Sequence, residues 1–176
     1  MHRARTLSVA VLAVSILGLA GCSSSSSSST TTTSGSSTAT FTTVPAQDRS
    51  PAGSFGTEPS VTVPTGAPPT QLEVSDLIVG TGPTAQAGDT VTVQYVLATY
   101  SSDKVIQASW TSQPFTFQLG EGNVIKGWDE GVVGMKAGGR RELIIPPTLG
   151  YGASSPGAGI APNDTLVFMV DLLKIN

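Results

Sequence analysis

One cysteine and one histidine, Cys22 and His2, are all that the 176 residues contain, and from residue 23 onward there is neither. That excludes Ser-His-Asp and Cys-His nucleophilic machinery, thiol redox chemistry, the usual His/Cys transition-metal sites and any disulfide within the chain. Charge is also scarce. Charged residues make up 12% of the chain, against ~25% in ordinary domains. The net charge is -3 and the pI about 4.9, a balance that argues against nucleic-acid binding, which needs a clustered basic surface. What is plentiful is glycine and proline, 20 and 12 residues, the mark of a loop-rich chain. The length suits one small domain. Its chemistry is left to carboxylates, lysines, hydroxyls, aromatics and shape, and no cofactor or metal is expected.

The N-terminus reads as an address. His2, Arg3 and Arg5 precede an apolar run from Leu7 to Ala20, too short for a spanning helix of about 20 residues. The run ends in Leu19-Ala20-Gly21-Cys22, which resembles the bacterial lipobox. That resemblance implies a signal peptide over 1–21 and a Cys22 that is lipidated and becomes the first residue of the mature chain. Two acyl chains, each CH2 worth ~0.8 kcal/mol on burial, suffice for stable attachment. The expected location is therefore outside the cytoplasm, anchored through lipid alone to the outer face of the cytoplasmic membrane or in an outer membrane. An uncleaved anchor or a chance cysteine is the plainer alternative. Of the 21 residues from Ser23 to Thr43, 18 are Ser or Thr, and six prolines fall between Val44 and Thr70. The expectation for 22–70 is a lipidated Cys followed by a disordered Ser/Thr/Pro-rich tether.

The remaining residues, 71–176, form the expected domain. Thr90–Leu97 places Val91, Val93, Tyr95 and Leu97 on one face, and Pro114–Leu119 does the same with Phe115, Phe117 and Leu119. Leu72–Val79, Arg140–Ile145 and Thr165–Ile175 are three further strand candidates. This period of two fits a half-buried antiparallel sheet. Between Asn123 and Gly134, Val124, Ile125, Trp128 and Val132 recur at helical spacing, with Asn123 as a candidate N-cap. Several strands and one brief helix give an α+β domain with the helix lying across the sheet. Tyr95, Phe115, Trp128, Tyr151 and Phe168 come from separate elements, so one fold can converge them. Each taken singly is better explained as core.

A set of ordered strings adds more. Pro114-Phe-Thr-Phe-Gln-Leu-Gly120 is followed by Val124-Ile-Lys-Gly-Trp-Asp-Glu-Gly131, Gly134-Met-Lys-Ala-Gly138, Arg140-Arg-Glu-Leu-Ile-Ile-Pro146, Leu149-Gly-Tyr-Gly152, Ile160-Ala-Pro-Asn163 and Thr165-Leu-Val-Phe168. In this order and spacing, 71–176 resembles the FKBP-type peptidyl-prolyl cis-trans isomerases. The resemblance implies a twisted antiparallel five-stranded sheet wrapped around one short helix, with an apolar pocket between them. It implies Trp128 as the pocket floor and Tyr95, Phe115 and Phe168 as aromatic walls. Tyr151 is implied as a hydroxyl donor to a ligand carbonyl, Val124 and Ile125 as the apolar rim, and Ile160 as a flap residue. Phe117 and Leu119 are read as core. The family usually has Phe-Asp where this chain has Ile106-Gln107, so a pocket aromatic is replaced by an aliphatic and a carboxylate by an amide; Ala161 stands where a first proline is common. The implied activity is prolyl isomerisation of exported proteins without covalent catalysis. The alternative, favoured by Ile106-Gln107, is a chaperone or binding module with weak or no isomerase activity. The implied partners are proline-containing polypeptide segments and macrolide immunosuppressants, and a monomer is expected.

Overall fold

The computed structural model describes residues 41–45 and 49–176. The expected signal peptide, Cys22 and residues 23–40 of the expected tether lie outside the described residues. Among the described residues, seven strands and one helix follow in order: β1 (Phe41–Thr43), β2 (Leu72–Ile78), β3 (Thr90–Thr99), β4 (Lys104–Ala108), β5 (Phe115–Gln118), α1 (Lys126–Gly131), β6 (Gly139–Ile145) and β7 (Leu166–Ile175), with a 3₁₀ turn at Pro147–Leu149. They build one sheet in the order β1-β2-β6-β7-β3-β4, with β5 also pairing with β3. All pairs are antiparallel except β1 with β2. The five expected strands are β2, β3, β5, β6 and β7. The two additional ones, β1 and β4, are short and lie at the sheet edges, where three to five residues carry little alternation to read.

Alternation decides the two faces. In β7, Leu166, Phe168, Val170 and Leu172 point inward with Leu143 and Ile145 of β6, and α1 closes this face through Trp128 and Val132. The helix is six residues long and contains two glycines, a poor composition for a helix. The glycines permit close approach: a Cβ on Gly127 would lie 2.4 Å from Ile145 Cγ2, and one on Gly131 2.8 Å from Leu143 Cδ2. Arg141 secures the C-terminal end. Its guanidinium is bidentate on Asp76 of β2, with Nε–Oδ1 2.7 Å and Nη2–Oδ2 3.0 Å, while Nη1 donates to the carbonyls of Gly131 at 2.7 Å and Val133 at 3.1 Å. A cation on the last carbonyls of a helix meets the negative end of its dipole. The N-cap position is Ile125, which has no side-chain cap bond. Asn123, expected in that role, precedes it by two residues in a loop.

The outer face of the sheet departs from the expected tether. Residues 49–67 lie across it as a strap. Val61 and Val63 pack on Ala98, Ile144 and Val167, and the Tyr100 hydroxyl donates to the Ala67 carbonyl at 3.5 Å. Arg49 pairs with Glu73 and Glu142, and Ser50 Oγ donates to Glu142 Oε1 at 2.6 Å. Arg140 grips Asp171, Nη2–Oδ2 2.7 Å, and donates to two strap carbonyls, Ala52 at 2.6 Å and Thr57 at 2.7 Å. Arg140, Glu142 and Asp171 are all fully buried by this cover. The composition of 49–67 is polar and proline-rich, but apart from Glu73 on β2 its partner charges sit on β6 and β7, too distant in sequence for a local reading to connect them.

Candidate active site

A cavity of about 270 Å³ opens between β3, β4, β5, β7 and α1, lined by Tyr95, Leu97, Gln107, Phe115, Asn123, Val124, Ile125, Trp128, Tyr151 and Phe168. Trp128, on the first turn of α1, is buried and central. Its ring meets Tyr95 at 5.4 Å and 87°, Phe168 at 5.2 Å and 85°, and Phe115 at 6.2 Å and 75°. These are edge-to-face geometries, the arrangement the ring quadrupole prefers. Phe115 and Tyr151 are exposed to about two fifths of their surface, so the mouth of the cavity is itself aromatic.

Each wall is positioned by backbone register. Tyr95 and Leu97 point inward because β3 alternates; the Tyr95 backbone is pinned by Ser109, whose Oγ accepts from the Tyr95 N–H at 2.8 Å and whose N–H donates to the Tyr95 carbonyl at 2.9 Å. Gln107 pairs with Leu97 and Val105 with Ala98, so Ile106 is the extra residue of a bulge in β4. A bulge re-aims the side chains around it. Here it brings Gln107 to the cavity and turns Ile106 beside it, against Gly159, where a Cβ would lie 3.4 Å from Ile106 Cγ2. Tyr151 follows the 3₁₀ turn; the Gly152 N–H donates to the Pro147 carbonyl at 2.9 Å and its carbonyl accepts from Asn163 at 2.7 Å. Gly152 and Asn163 have φ of +58° each, the left-handed backbone that glycine and asparagine tolerate best.

Of the ten residues expected at the site, eight line one cavity: Tyr95, Phe115, Trp128, Tyr151, Phe168, Gln107, Val124 and Ile125. Two do not. Ile106 is displaced by the bulge, and Ile160 is a buried member of the core, its carbonyl taken by Ser155 Oγ. Two lining residues were not expected there. Leu97 shares its strand face with Tyr95, so the alternation already carried its signal. Asn123 reads locally as a cap, and nothing nearby in the sequence marks it as a wall. Phe117 stacks on Phe115 at 5.4 Å and 19° behind the cavity, in keeping with a core role.

The cavity is electrically quiet. Its lining has no carboxylate, lysine, arginine or histidine. Burial, and then the neighbouring Tyr151, push the Tyr95 hydroxyl above the ordinary phenol range, so it stays a neutral hydrogen-bond donor. Nothing here resembles an acid–base pair or a nucleophile. The arrangement can take one ring-sized apolar group, expel water around it, and offer hydroxyl and amide donors at the edge; its volume is below the ~300–1,000 Å³ of sites that engulf a drug-sized ligand.

Comparison with known proteins agrees with this geometry. Residues 82–173 match the family described as FKBP-type peptidyl-prolyl cis-trans isomerase. The chain is 52% identical over 120 residues to an FK506-binding protein of Streptomyces anulatus, covering 67% of this chain and 97% of that one. It is 46% identical over 104 residues to an FK506-binding protein of Neisseria meningitidis serogroup B, covering 59% and 95%. Longer relatives are matched in part: the 39 kDa FK506-binding nuclear protein of Drosophila melanogaster is 43% identical over 105 residues, 60% of this chain but 29% of that one. Among solved structures, FkpA from Escherichia coli is 39% identical with a TM-score of 0.55, over 61% of this chain and 49% of that one, and AtFKBP13 is 34% identical with a TM-score of 0.55, over 62% and 97%. Fold, sequence and site together lead to one conclusion: the chain belongs to the FKBP-type peptidyl-prolyl cis-trans isomerase family.

Proposed function

We propose that this chain accelerates rotation about X-Pro bonds in exported polypeptides, with the proline ring seated on Trp128 between Tyr95, Phe115 and Phe168. The observation that supports it is the cavity's combination of ring size, aromatic walls and absent ionic chemistry. Rotation of a peptide bond must break its resonance, at ~18–20 kcal/mol, and an X-Pro bond exchanges over roughly 10–100 s unaided. The planar amide is the more polar state; twisting localises the nitrogen lone pair and diminishes the charge separation of the carbonyl. A dry aromatic pocket solvates the planar amide poorly and so favours the twisted form relative to it, which is catalysis by differential binding. A barrier lowered by about 7 kcal/mol is a roughly 10⁵-fold acceleration. Tyr151, Gln107 and the Asn123–Ile125 backbone stand at the mouth to hold the peptide on either side of proline. FK506-binding relatives extend the reading to a macrolide that presents one ring and its carbonyl to the same cavity.

The test is proline-limited refolding of a model protein. The chain shortens the slow phase in proportion to its concentration, and FK506 abolishes the effect. Suppressed aggregation with an unchanged slow phase would favour the chaperone alternative, for which Gln107 in the cavity in place of a carboxylate is the supporting feature.

The location proposed is the outer face of a membrane, held through Cys22. Cys22→Ser is expected to move the protein from the membrane fraction to the soluble fraction or medium; a variant still retained by the membrane would exclude the lipid anchor.

A further inference from the structure

The rim of the cavity is held by a residue that does not touch it. Leu119 is fixed to the body of the domain by two backbone bonds, its N–H to Asp89 and its carbonyl to Gly88, and Ile125 is fixed by the first bonds of α1. Between them, the Asp129 carboxylate takes two amides, Oδ1 from the Gly120 N–H at 2.9 Å and Oδ2 from the Gly122 N–H at 2.9 Å. Gly120 and Gly122 have φ of +81° and +72°. A Cβ on Gly122 would meet nothing within 4 Å, so glycine is there for its backbone conformation and not for space. A loop with two such glycines has much conformational freedom to lose, and a charged acceptor that satisfies two of its amides restricts that freedom strongly.

Asn123, Val124 and Ile125 follow Gly122 directly and line the cavity, while Asp129 is the neighbour of Trp128 on the same helical turn. We infer that Asp129 is a positioning residue for prolyl isomerisation, locking the substrate-holding rim to the helix that carries the floor. The inference rests on the isomerase reading. Rim and floor move as one body only while the carboxylate holds both amides. Once it is gone, Asn123–Ile125 sample many placements and an X-Pro segment must order them on binding. The loss then falls on binding more than on the barrier, because the rotating bond lies over Trp128 and not over the loop.

The experiment uses Asp129→Ala and Asp129→Asn in the full chain, with three readouts: KM and kcat on an X-Pro peptide, direct binding of that peptide followed by NMR, and hydrogen exchange at the Gly120 and Gly122 amides. Asp129→Ala is expected to raise KM and the peptide dissociation constant about tenfold, kcat staying within about twofold, and to speed exchange at both amides. Asp129→Asn keeps one acceptor oxygen, so its effect falls between, with one amide still protected; should Asp129→Ala fail to fold, this variant decides. Unchanged KM and affinity with both amides freed would overturn the inference, as would amides that remain protected without the carboxylate. A proportional fall in active fraction with unchanged KM would reduce Asp129 to a stability residue. If the wild-type chain binds the peptide but does not isomerise it, the isomerase reading fails while the affinity readout still judges Asp129; a wild-type chain that binds no X-Pro peptide overturns both.

Discussion

A chain shortened to residues 71–176 is expected to unfold about 10 °C below the chain from residue 23, with the cavity intact. The strap from 49 to 67 covers Ala98, Ile144 and Val167 with Val61 and Val63 and supplies two carbonyls to the Arg140 guanidinium. The cut also removes β1, whose Phe41 packs on the core beside β2; loss of that strand, the apolar cover and the charge-assisted bonds is worth about 3 kcal/mol, which for a body of this size shifts the midpoint by about 10 °C. No strap residue lines the cavity, so activity per folded molecule stays unchanged. The stability of the longer chain should also depend on pH. Burial raises the Glu142 pKa, with the Ser50 bonds and Arg49 opposing it. A group whose folded pKa is raised contributes stability that is full below its unfolded value and is lost as pH rises through the folded one. Folding therefore takes up a proton at Glu142, and the chain that carries the strap loses stability as pH rises above the ordinary carboxyl range. Glu142→Gln should flatten that dependence. Differential scanning calorimetry of the two chains decides the matter: equal midpoints would mean that neither β1 nor the strap is part of the folding unit.

What could be read from the sequence follows from the range of each interaction. The alternation of β3, β5 and β7 and the helical recurrence around Trp128 are local patterns that carry four of the aromatics on the cavity, Tyr95, Phe115, Phe168 and Trp128, whereas Tyr151 follows the 3₁₀ turn and is signalled by the family resemblance alone. The bulge in β4 was not legible, because one unpaired residue leaves no periodic trace in a five-residue strand; it is the reason Gln107 and not Ile106 faces the pocket. Ile160, which the family resemblance implies at the site, is buried in the same core cluster as Trp128 and Phe168, and its carbonyl accepts from Ser155 Oγ. The strap was hidden by composition. Ser50, Ala52, Gly56 and Thr57 show no hydrophobic pattern, and their order comes from Arg140, Glu142 and Asp171, some 80 to 115 positions later. Arg140 and Glu142 alternate outward on β6, where charge reads as solvent-facing until a second layer covers it.

The second large effect belongs to Trp128. Trp128→Leu is expected to lower kcat/KM at least tenfold, a loss of about 1.4 kcal/mol or more of transition-state stabilisation, while the domain remains folded. The indole touches Tyr95, Phe115, Phe117 and Phe168, so its removal opens the floor and lets the four rings relax apart. Water that enters solvates the planar X-Pro amide and restores the ground state that the dry pocket disfavours. Trp128→Ala is the weaker probe, because deleting a buried indole costs about 3–5 kcal/mol of stability and confounds activity with unfolding. Phe117→Leu supplies the contrast. Phe117 packs against Trp128 at 5.6 Å and stacks on Phe115, but it does not line the cavity; the variant should lose stability and keep its kcat/KM once corrected for folded fraction. Measured side by side on an X-Pro peptide, the pair separates two roles that a cluster of aromatics otherwise blends. If both variants lose activity only in step with their folded fraction, the rings are core and the cavity has no catalytic floor. If Trp128→Leu alone falls below that line, the indole acts on the bond that turns above it.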